Sequence, residues 1–170
     1  MAKPSGGISP STASGNGRSA GCGCDEGAYS AVYAARVSST RKPSPVCGIG
    51  RFHCGIAALL SNKTSVAVVD RNVHASLYDG VRLGQAAGAR LTRFKHADPE
   101  SLDRALQRVN AGEGALVITD GVFSAEGEIA KLDEIVPIVK KHGARLMVDD
   151  AHALGVIGPG GRGTAHMFGL

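Results

Sequence analysis

Short apolar runs alternate along the chain with stretches in which apolar residues recur at helical spacing. From Val46 onward, residues 65–70 form a short apolar run typical of a buried strand in a parallel sheet, and residues 91–94, 115–120 and 145–150 are three further strand candidates. Helical spacing of apolar residues predicts helices over 74–87, from 98 to about 109, and over 132–142. This alternation predicts βαβ units, and therefore an α/β fold of three αβα layers with a mostly parallel sheet.

Two of the predicted helices have clear end signals. Asp98 is a candidate N-cap, and Pro99 stands in the first helical position, where its missing N–H is not needed. Lys140 and Lys141 lie in the last turn of the third helix, where positive charge favours the helix dipole, and Gly143 follows as a stop. These ends support the helical interpretation of both segments.

Residues 1–45 differ from the rest of the chain in composition and charge. Met1 to Gly27 consists almost wholly of Gly, Ser, Ala, Pro and Thr, so it buries too little apolar surface to offset its ordering entropy. We expect residues 1–45 to be disordered or poorly ordered and residues 46–170 to form the folded part. Of the formal net charge of +4, +3 falls within residues 1–45. The basic excess is therefore no argument for nucleic-acid binding.

Membrane, metal and secretory classes find no support in the sequence. No apolar run has the length of a membrane span, and the N-terminal segment lacks the apolar core of a secretory signal. The spacing of Cys22, Cys24, Cys47 and Cys54 matches no zinc pattern. Cys22 and Cys24 could hold a metal or form a redox pair, but no second ligand pair accompanies them. We expect reduced thiols, no metal site and a cytoplasmic protein.

Polar and titratable residues follow the predicted strands. In parallel sheets, ligands bind beyond the carboxyl ends of the strands, so these positions are the first candidates for a site. His74 follows the first strand, Ser124 the third, and Asp149 and His152 the fourth. If the strands are neighbours, these four side chains form one polar, titratable pocket. Asp150 should face the opposite side of the sheet, because side chains alternate along a strand.

Three ordered motifs resemble one known family. They are HASLYDGVRL at 74–83, TDGVFSAEG at 119–127 and LMVDDAHALGVIG at 146–158, with Gly161-Arg-Gly163 following. They resemble the α-oxoamine synthases, which are pyridoxal phosphate (PLP) enzymes of fold type I. The resemblance runs from about Ala57 to Leu170. It implies that residues 46–170 are part of the large, cofactor-binding domain of an acyltransferase that condenses an amino acid with an acyl-CoA and releases CO2.

The resemblance also implies a role for each candidate residue. Asp149 matches the carboxylate that keeps the PLP ring nitrogen protonated, which an electron sink requires. His152 matches the residue that hydrogen-bonds the ring hydroxyl, and Ser124 a further polar contact on that side. His74 matches the histidine that stacks on the ring. The expected partners are therefore PLP, an amino acid and an acyl-CoA, with a homodimer as the usual assembly of the family.

Two departures from the family pattern change the functional expectation. The family's Schiff-base lysine lies a few dozen residues beyond the Asp-x-x-His motif, and the sequence stops at Leu170 before it. We therefore expect no catalytic lysine in this chain and weak or no turnover. The segment expected to be a phosphate-binding loop reads GIGRFHCG at 48–55, which keeps glycines and an aromatic residue but not the expected Ala-Asn.

Other functions stay open at this point. The chain is a non-catalytic fragment or pseudoenzyme subunit if a partner must supply the lysine, and another fold type I enzyme, such as an aminotransferase, is a further alternative. The sequence does not select the amino acid or the acyl group. His53, His96 and His166 have no recognisable partner, and we expect structural or surface roles for them.

Overall fold

The computed structural model describes residues 31–35, 44–47 and 49–170. The expectations for Cys22 and Cys24, and for most of residues 1–45, lie outside these ranges. The strands are β1 (Ala31–Ala35), β2 (Ser44–Cys47), β3 (Ser65–Asp70), β4 (Arg90–Phe94), β5 (Gly114–Asp120) and β6 (Arg145–Asp149). The helices are α1 (Ile49–Leu59), α2 (Ala75–Ala86), α3 (Pro99–Leu106), α4 (Leu132–Lys141) and α5 (Thr164–Met167), with a 3-10 turn at Pro159–Gly161.

The six described strands form one sheet in the order β2-β1-β6-β5-β3-β4. β4, β3, β5 and β6 are parallel neighbours, so the predicted parallel core is confirmed. Their burial follows from their composition: all six residues of β3 are buried, as expected for a strand covered on both faces. The predicted α/β class with a mostly parallel sheet is thus the class that the structure has.

Strands β1 and β2 are antiparallel additions to this core. β1 pairs with β6 on one side and with β2 on the other. The sequence analysis expects no regular structure in residues 1–45, and the structure differs there at 31–35 and 44–45. The physical reason is that the free edge of β6 offers unpaired backbone groups, which a neighbouring segment satisfies by pairing.

The chain connections place helices on both faces of the sheet. From β3 the chain moves outward to β4, then returns past β3 to β5 and continues to β6. Because such crossovers are right-handed, the reversal places α2 on one face and α3 and α4 on the other. The chain leaves β3 in one direction across the sheet, toward β4, and leaves β5 in the other direction, toward β6. The loops that follow β3 and β5 therefore leave toward opposite faces. Between them lies the crevice in which sheets of this type bind ligands.

Two glycines allow α1 to pack closely on α2. A Cβ atom at Gly80 would lie 2.9 Å from Ile56 Cδ1, and one at Gly84 would lie 2.6 Å from Leu60 Cβ. Any side chain at these positions would force the helices apart. This packing also changes the interpretation of residues 48–55, because the structure has α1 from Ile49 onward where the sequence analysis expects a loop.

The predicted end signals of α3 and α4 are confirmed, since Pro99 begins α3 and Lys140 and Lys141 lie in the last turn of α4. His74 is the N-cap residue of α2, and its side chain accepts a hydrogen bond from the backbone N–H of Ser76. Asp98 is the N-cap of α3, where its carboxylate accepts from the backbone N–H of Ser101 at 2.8 Å. Within the described ranges, no helix is both long and apolar enough to cross a membrane.

Candidate functional site

Asp149 ends β6 at the carboxyl edge of the sheet. Its side chain is buried, with 7% of the residue exposed, and its Oδ1 accepts a hydrogen bond from the backbone N–H of Ala151 at 2.9 Å. Burial raises the pKa of Asp149, while the Ala151 bond and the positive charges of His74 and His152 lower it, leaving a net rise. The two histidines therefore lie close enough to act on this carboxylate.

Asp120 is a second buried carboxylate beside Asp149, and the sequence analysis did not select it. The two residues are register partners at the ends of β5 and β6. Asp120 Oδ2 accepts from the backbone N–H of His74 at 3.0 Å, whereas no group among the described residues hydrogen-bonds to Oδ1. Burial first, and then the charge of Asp149, raise the pKa of Asp120 to about 7. Its position directly after a buried strand was the signal available in the sequence.

The two candidate histidines are exposed at this edge. His74 Nδ1 lies 2.8 Å from Ser76 Oγ and accepts from the Ser76 backbone N–H at 3.3 Å, which fixes the ring at the start of α2. His152 lies in the turn that follows β6 and is exposed to solvent. Both imidazoles are therefore accessible to a ligand in the crevice, and Asp120 links His74 to Asp149, because it binds the His74 backbone and is the register partner of Asp149.

Ser124 is carried by the neighbouring loop, residues 121–130, between β5 and α4. Backbone hydrogen bonds within this Ser124 loop hold its shape: Phe123 N–H donates to Glu128 O at 2.9 Å, and Ala130 N–H donates to Gly121 O at 2.9 Å. Ser124 itself is exposed. The loop places Ser124 at the carboxyl edge, but no hydrogen bond within the described residues joins it to Asp149, His74 or His152. The cofactor contacts expected for the four residues remain predictions.

Asp150 faces the other side of β6, as strand alternation predicts. It is fully buried, and its Oδ2 accepts from the backbone N–H of Thr164 at 2.9 Å, while Oδ1 accepts from the Thr164 hydroxyl. A Cβ atom at Gly121 or Gly163 would overlap the Asp150 carboxylate. Asp150 therefore fastens α5 behind the sheet and is absent from the site.

His96 has partners that sequence reasoning missed. Its Nδ1 lies 3.0 Å from Asp70 Oδ1 and its Nε2 lies 3.1 Å from Glu128 Oε2. The edge of the His96 ring also meets Phe123, with the ring centroids 4.3 Å apart. The structural role expected for His96 takes the form of two carboxylate contacts that the sequence analysis did not identify. Its partners are far away in sequence, so spacing gave no signal.

A groove rich in arginine lies beside His74, along α2 and the edge strand β4. Its volume is about 580 Å³, and its lining residues are Arg71, Ala75, Tyr78, Arg82, Gln85, Leu91 and Arg93. The Arg93 guanidinium lies 5.2 Å from the centroid of the Tyr78 ring, a cation–π contact. The groove therefore presents a positive, partly aromatic surface next to the site.

The remaining chemistry of the described residues is limited. No three His, Cys, Asp or Glu side chains in this part of the chain form a group that could hold a metal ion. Cys54 is a free, exposed thiol.

Fold and site together define a class of protein. Residues 44–167 match the family model described as aminotransferase class I and II. The match covers most of the chain, including β3 through β6 and every candidate residue. The chain belongs to this family.

Individual relatives narrow the class. The chain is 45% identical over 116 residues to a putative 8-amino-7-oxononanoate synthase of Acetivibrio thermocellus, covering 68% of this chain and 29% of that protein. It is 42% identical to the serine palmitoyltransferase of Sphingomonas paucimobilis, covering 68% and 27%. A high-resolution structure of SPT with a PLP internal aldimine matches with a TM-score of 0.64 and 41% identity, covering 70% of this chain and 29% of that one.

These relatives place the chain among the PLP-dependent α-oxoamine synthases. The resemblance inferred from the three motifs is thereby confirmed. The chain spans about 29% of the length of the first of these relatives.

Proposed function

We propose that this chain forms the ring-binding side of a PLP pocket. In the protein that carries this pocket, we infer a decarboxylating condensation of an amino acid with an acyl-CoA. The observation that carries the proposal is Asp149, a buried carboxylate at the carboxyl end of β6 whose register partner, Asp120, binds the His74 backbone. The names of the relatives favour acyl transfer over amino-group transfer.

The carboxylate chemistry fits a protonated ring nitrogen. Asp149 Oδ1 accepts a hydrogen bond from the Ala151 backbone N–H, and the neighbouring Asp120 Oδ1 is buried without a hydrogen-bond partner among the described residues. A buried carboxylate is costly unless a cation or donor compensates its charge, so a pyridinium N–H would stabilise Asp149. PLP, when bound, supplies an electron sink for charge that develops at the α-carbon of an amino acid.

The protein side chains would orient and stabilise the bound ring. Asp149 holds the proton on the ring nitrogen, because separation of that proton would leave the carboxylate buried and uncompensated. His74, fixed by Ser76 at the start of α2, covers one ring face, while His152 and Ser124 bind the ring hydroxyl side. Asp120 holds the His74 backbone in place through its Oδ2.

The arginine groove supports an acyl-CoA as the second substrate. CoA is a polyanion with phosphates and an adenine ring, and guanidinium groups beside an aromatic side chain suit both features. We expect the variant Arg93→Gln to weaken CoA binding about tenfold, a loss of about 1.4 kcal/mol. Arg104→Gln is the matched control, because Arg104 is an exposed arginine on α3. Calorimetry with CoA tests this, and equal affinity in the two variants would remove the groove from the proposal.

A cytoplasmic homodimer is part of the same proposal. The exposed thiol of Cys54 suits a reducing compartment. Val156, 76% exposed in the turn region after His152, is an apolar side chain that a second subunit could cover. Light scattering after size exclusion tests the assembly. A mass of twice 17.4 kDa is expected, and a monomer at all concentrations would contradict it.

The binding experiment uses the full chain with PLP in equilibrium dialysis. We expect one PLP per chain, and a loss of affinity of about 100-fold in Asp149→Asn, because removal of one member of a buried charged pair costs several kcal/mol. Asp133→Asn is the control, since Asp133 is an exposed aspartate in the first turn of α4. No binding by the wild type, or equal affinities of the two variants, would contradict the proposal.

Borohydride treatment of the PLP complex gives a second readout. The lysines of residues 53–170 are all exposed, at Lys63, Lys95, Lys131, Lys140 and Lys141. We therefore expect reversible binding without a stoichiometric lysine adduct. A single adduct formed with one PLP per chain on one of these lysines would show that the chain has its own Schiff-base residue.

A further inference from the structure

His96 bridges two loops that carry candidate site residues. We propose that His96 is a positioning residue: it ties the Ser124 loop, residues 121–130, to the end of β3, from which the chain leads to His74. This inference rests on the proposed function for its meaning in catalysis, but the tie itself is a property of the chain without cofactor.

The tie is anchored at a buried carboxylate. Asp70 is 1% exposed, and its Oδ1 accepts from the backbone N–H of Asn72 at 2.9 Å and faces His96 Nδ1 at 3.0 Å. Its Oδ2 accepts from the backbone N–H of Ala97 at 3.1 Å. Three donors fix Asp70 and, with it, the start of the turn that leads to His74. His96 is thereby held at a defined distance from that turn.

The other ring nitrogen reaches the Ser124 loop. His96 Nε2 lies 3.1 Å from Glu128 Oε2, and the Phe123 ring packs against the histidine at an interplanar angle of 82°. Asn72 Nδ2 donates to Glu126 Oε1 at 2.8 Å, which adds a second bond between the same two segments. Ser124 stands between Phe123 and Glu126, so both contacts restrain its backbone.

The geometry requires a doubly protonated imidazole. A carboxylate is only an acceptor, and a neutral imidazole can donate from one nitrogen alone, so both carboxylates are bound at once only by the cation. The charged groups that face the ring are Asp70 from β3 and Glu128 from the Ser124 loop. Burial lowers the pKa of His96, but the hydrogen bonds and charges of Asp70 and Glu128 outweigh it, so this pKa lies above 6.5.

Loss of the proton would release one of the two carboxylates. Asp70 is buried and retains its backbone donors, whereas the Glu128 side chain is 58% exposed and can turn to water. The bond to Glu128 is therefore the one that breaks. We expect the Ser124 loop to loosen as pH rises through the pKa of His96, while the β3 end stays in place.

The experiment is a pH titration of the full, cofactor-free chain by NMR with amide hydrogen exchange. In the wild type, the Phe123 and Ser124 amide signals should titrate with the midpoint of the His96 ring, above pH 6.5. In His96→Gln this titration should vanish. At low pH, amide exchange at Phe123, Gly127 and Ala130 should be at least about tenfold faster in His96→Gln than in the wild type. The N–H groups of these residues bond within the loop, so faster exchange would indicate locally opened structure.

His142→Gln is the matched control. The His142 side chain is 19% exposed, as is that of His96, and it lies 2.7 Å from the carboxylate of Asp103. It has no contact with the Ser124 loop, so loop exchange and the titration should stay as in the wild type. Glu128→Gln removes only the exposed partner and gives the same readout if His96→Gln does not fold. Glu128→Gln should loosen the Ser124 loop and lower the pH at the titration midpoint of the His96 ring, because the charge of Glu128 raises the pKa of His96.

Loop exchange unchanged in both His96→Gln and Glu128→Gln would overturn the inference. PLP affinity keeps the two proposals apart. A wild-type chain that binds no PLP but shows the titrating loop rejects the proposed function alone. A chain that binds PLP with the same affinity and the same pH dependence in the wild type and in both variants rejects the role of His96 in positioning Ser124.

Discussion

Carboxylates at the amino ends of the parallel strands (the amino edge) and at their carboxyl ends (the carboxyl edge) have pKa values shifted in opposite directions. At the amino edge, Asp103 lies 2.7 Å from His142 and 3.0 Å from Lys141, and Glu113 lies 2.5 Å from Arg90. Hydrogen bonds from these cations lower the pKa of both carboxyls. At the carboxyl edge, burial raises the pKa of Asp120 and Asp149.

The difference separates structural ion pairs from the carboxylates proposed to form a binding site. A partly buried carboxylate that is already paired has its partner within the protein and gains little from any ligand. A buried carboxylate with a free oxygen has a cost that only a ligand or a proton removes. The same residue type therefore has two functions in this fold, and its surroundings decide which.

A contrast in packing is expected between the two ends of β5. In Gly121→Ala at the carboxyl edge, the new Cβ would overlap Asp150 and crowd Thr164, so we expect a loss of about 3 kcal/mol in the free energy of unfolding. In Gly114→Ala at the amino edge, no atom lies within 4 Å of the new Cβ, and we expect a change within about 0.5 kcal/mol. Urea unfolding measures both, and equal losses would break the contrast.

Asp120→Asn tests the buried pair. The folded chain holds the Asp120 proton up to about pH 7, whereas the ordinary pKa is 3.8. The stabilisation is present below pH 3.8 and is lost as pH rises to about 7. A rise of about three pKa units corresponds to a loss of at most about 4 kcal/mol in the free energy of unfolding between these pH values. Asp120→Asn should not show this pH-dependent loss. Unfolding free energies measured between pH 4 and pH 8 check this, and an unchanged slope would contradict it.

Asp103→Asn is the smallest expected effect and has the opposite sign. Hydrogen bonds to His142 and Lys141 lower the pKa of Asp103 below 3.8. Its contribution is therefore present above pH 3.8 and is lost only as pH falls through the lowered value. The same unfolding series should show no change of slope between pH 4 and pH 7. If Asp103→Asn altered the pH dependence of the unfolding free energy as much as Asp120→Asn does, the carboxylates at the amino and carboxyl ends of the strands would not differ in this respect.

Much of the fold could be predicted because its signals are local. Three of the four parallel strands, β3, β5 and β6, contain apolar runs, and Asp98 and Pro99 mark a helix start within two residues. The antiparallel β1 could not be predicted, because its place depends on the free edge of β6 more than a hundred residues away. Residues 48–55 were expected as a loop, because nothing local shows that Gly80 and Gly84 leave room for α1.

The site shows the same division. Asp149, His74 and His152 were selected as candidates because each lies at or after the end of a predicted strand and belongs to a family motif. Asp120 was missed, although it also follows a strand, because its significance depends on its register with Asp149. His96 was missed because its two carboxylate partners lie 26 and 32 residues away.

Asp149 and Asp150 share one peptide unit but serve opposite sides of the sheet. Asp150 is bonded to Thr164 at the start of α5, and Asp149 faces the site. A shift of α5 would therefore pull on Asp150 and rotate the backbone that also carries Asp149. The orientation of the Asp149 carboxylate is thus mechanically coupled to α5 behind the sheet. A displacement of α5 would change the position of this carboxylate relative to a ligand bound in the proposed site.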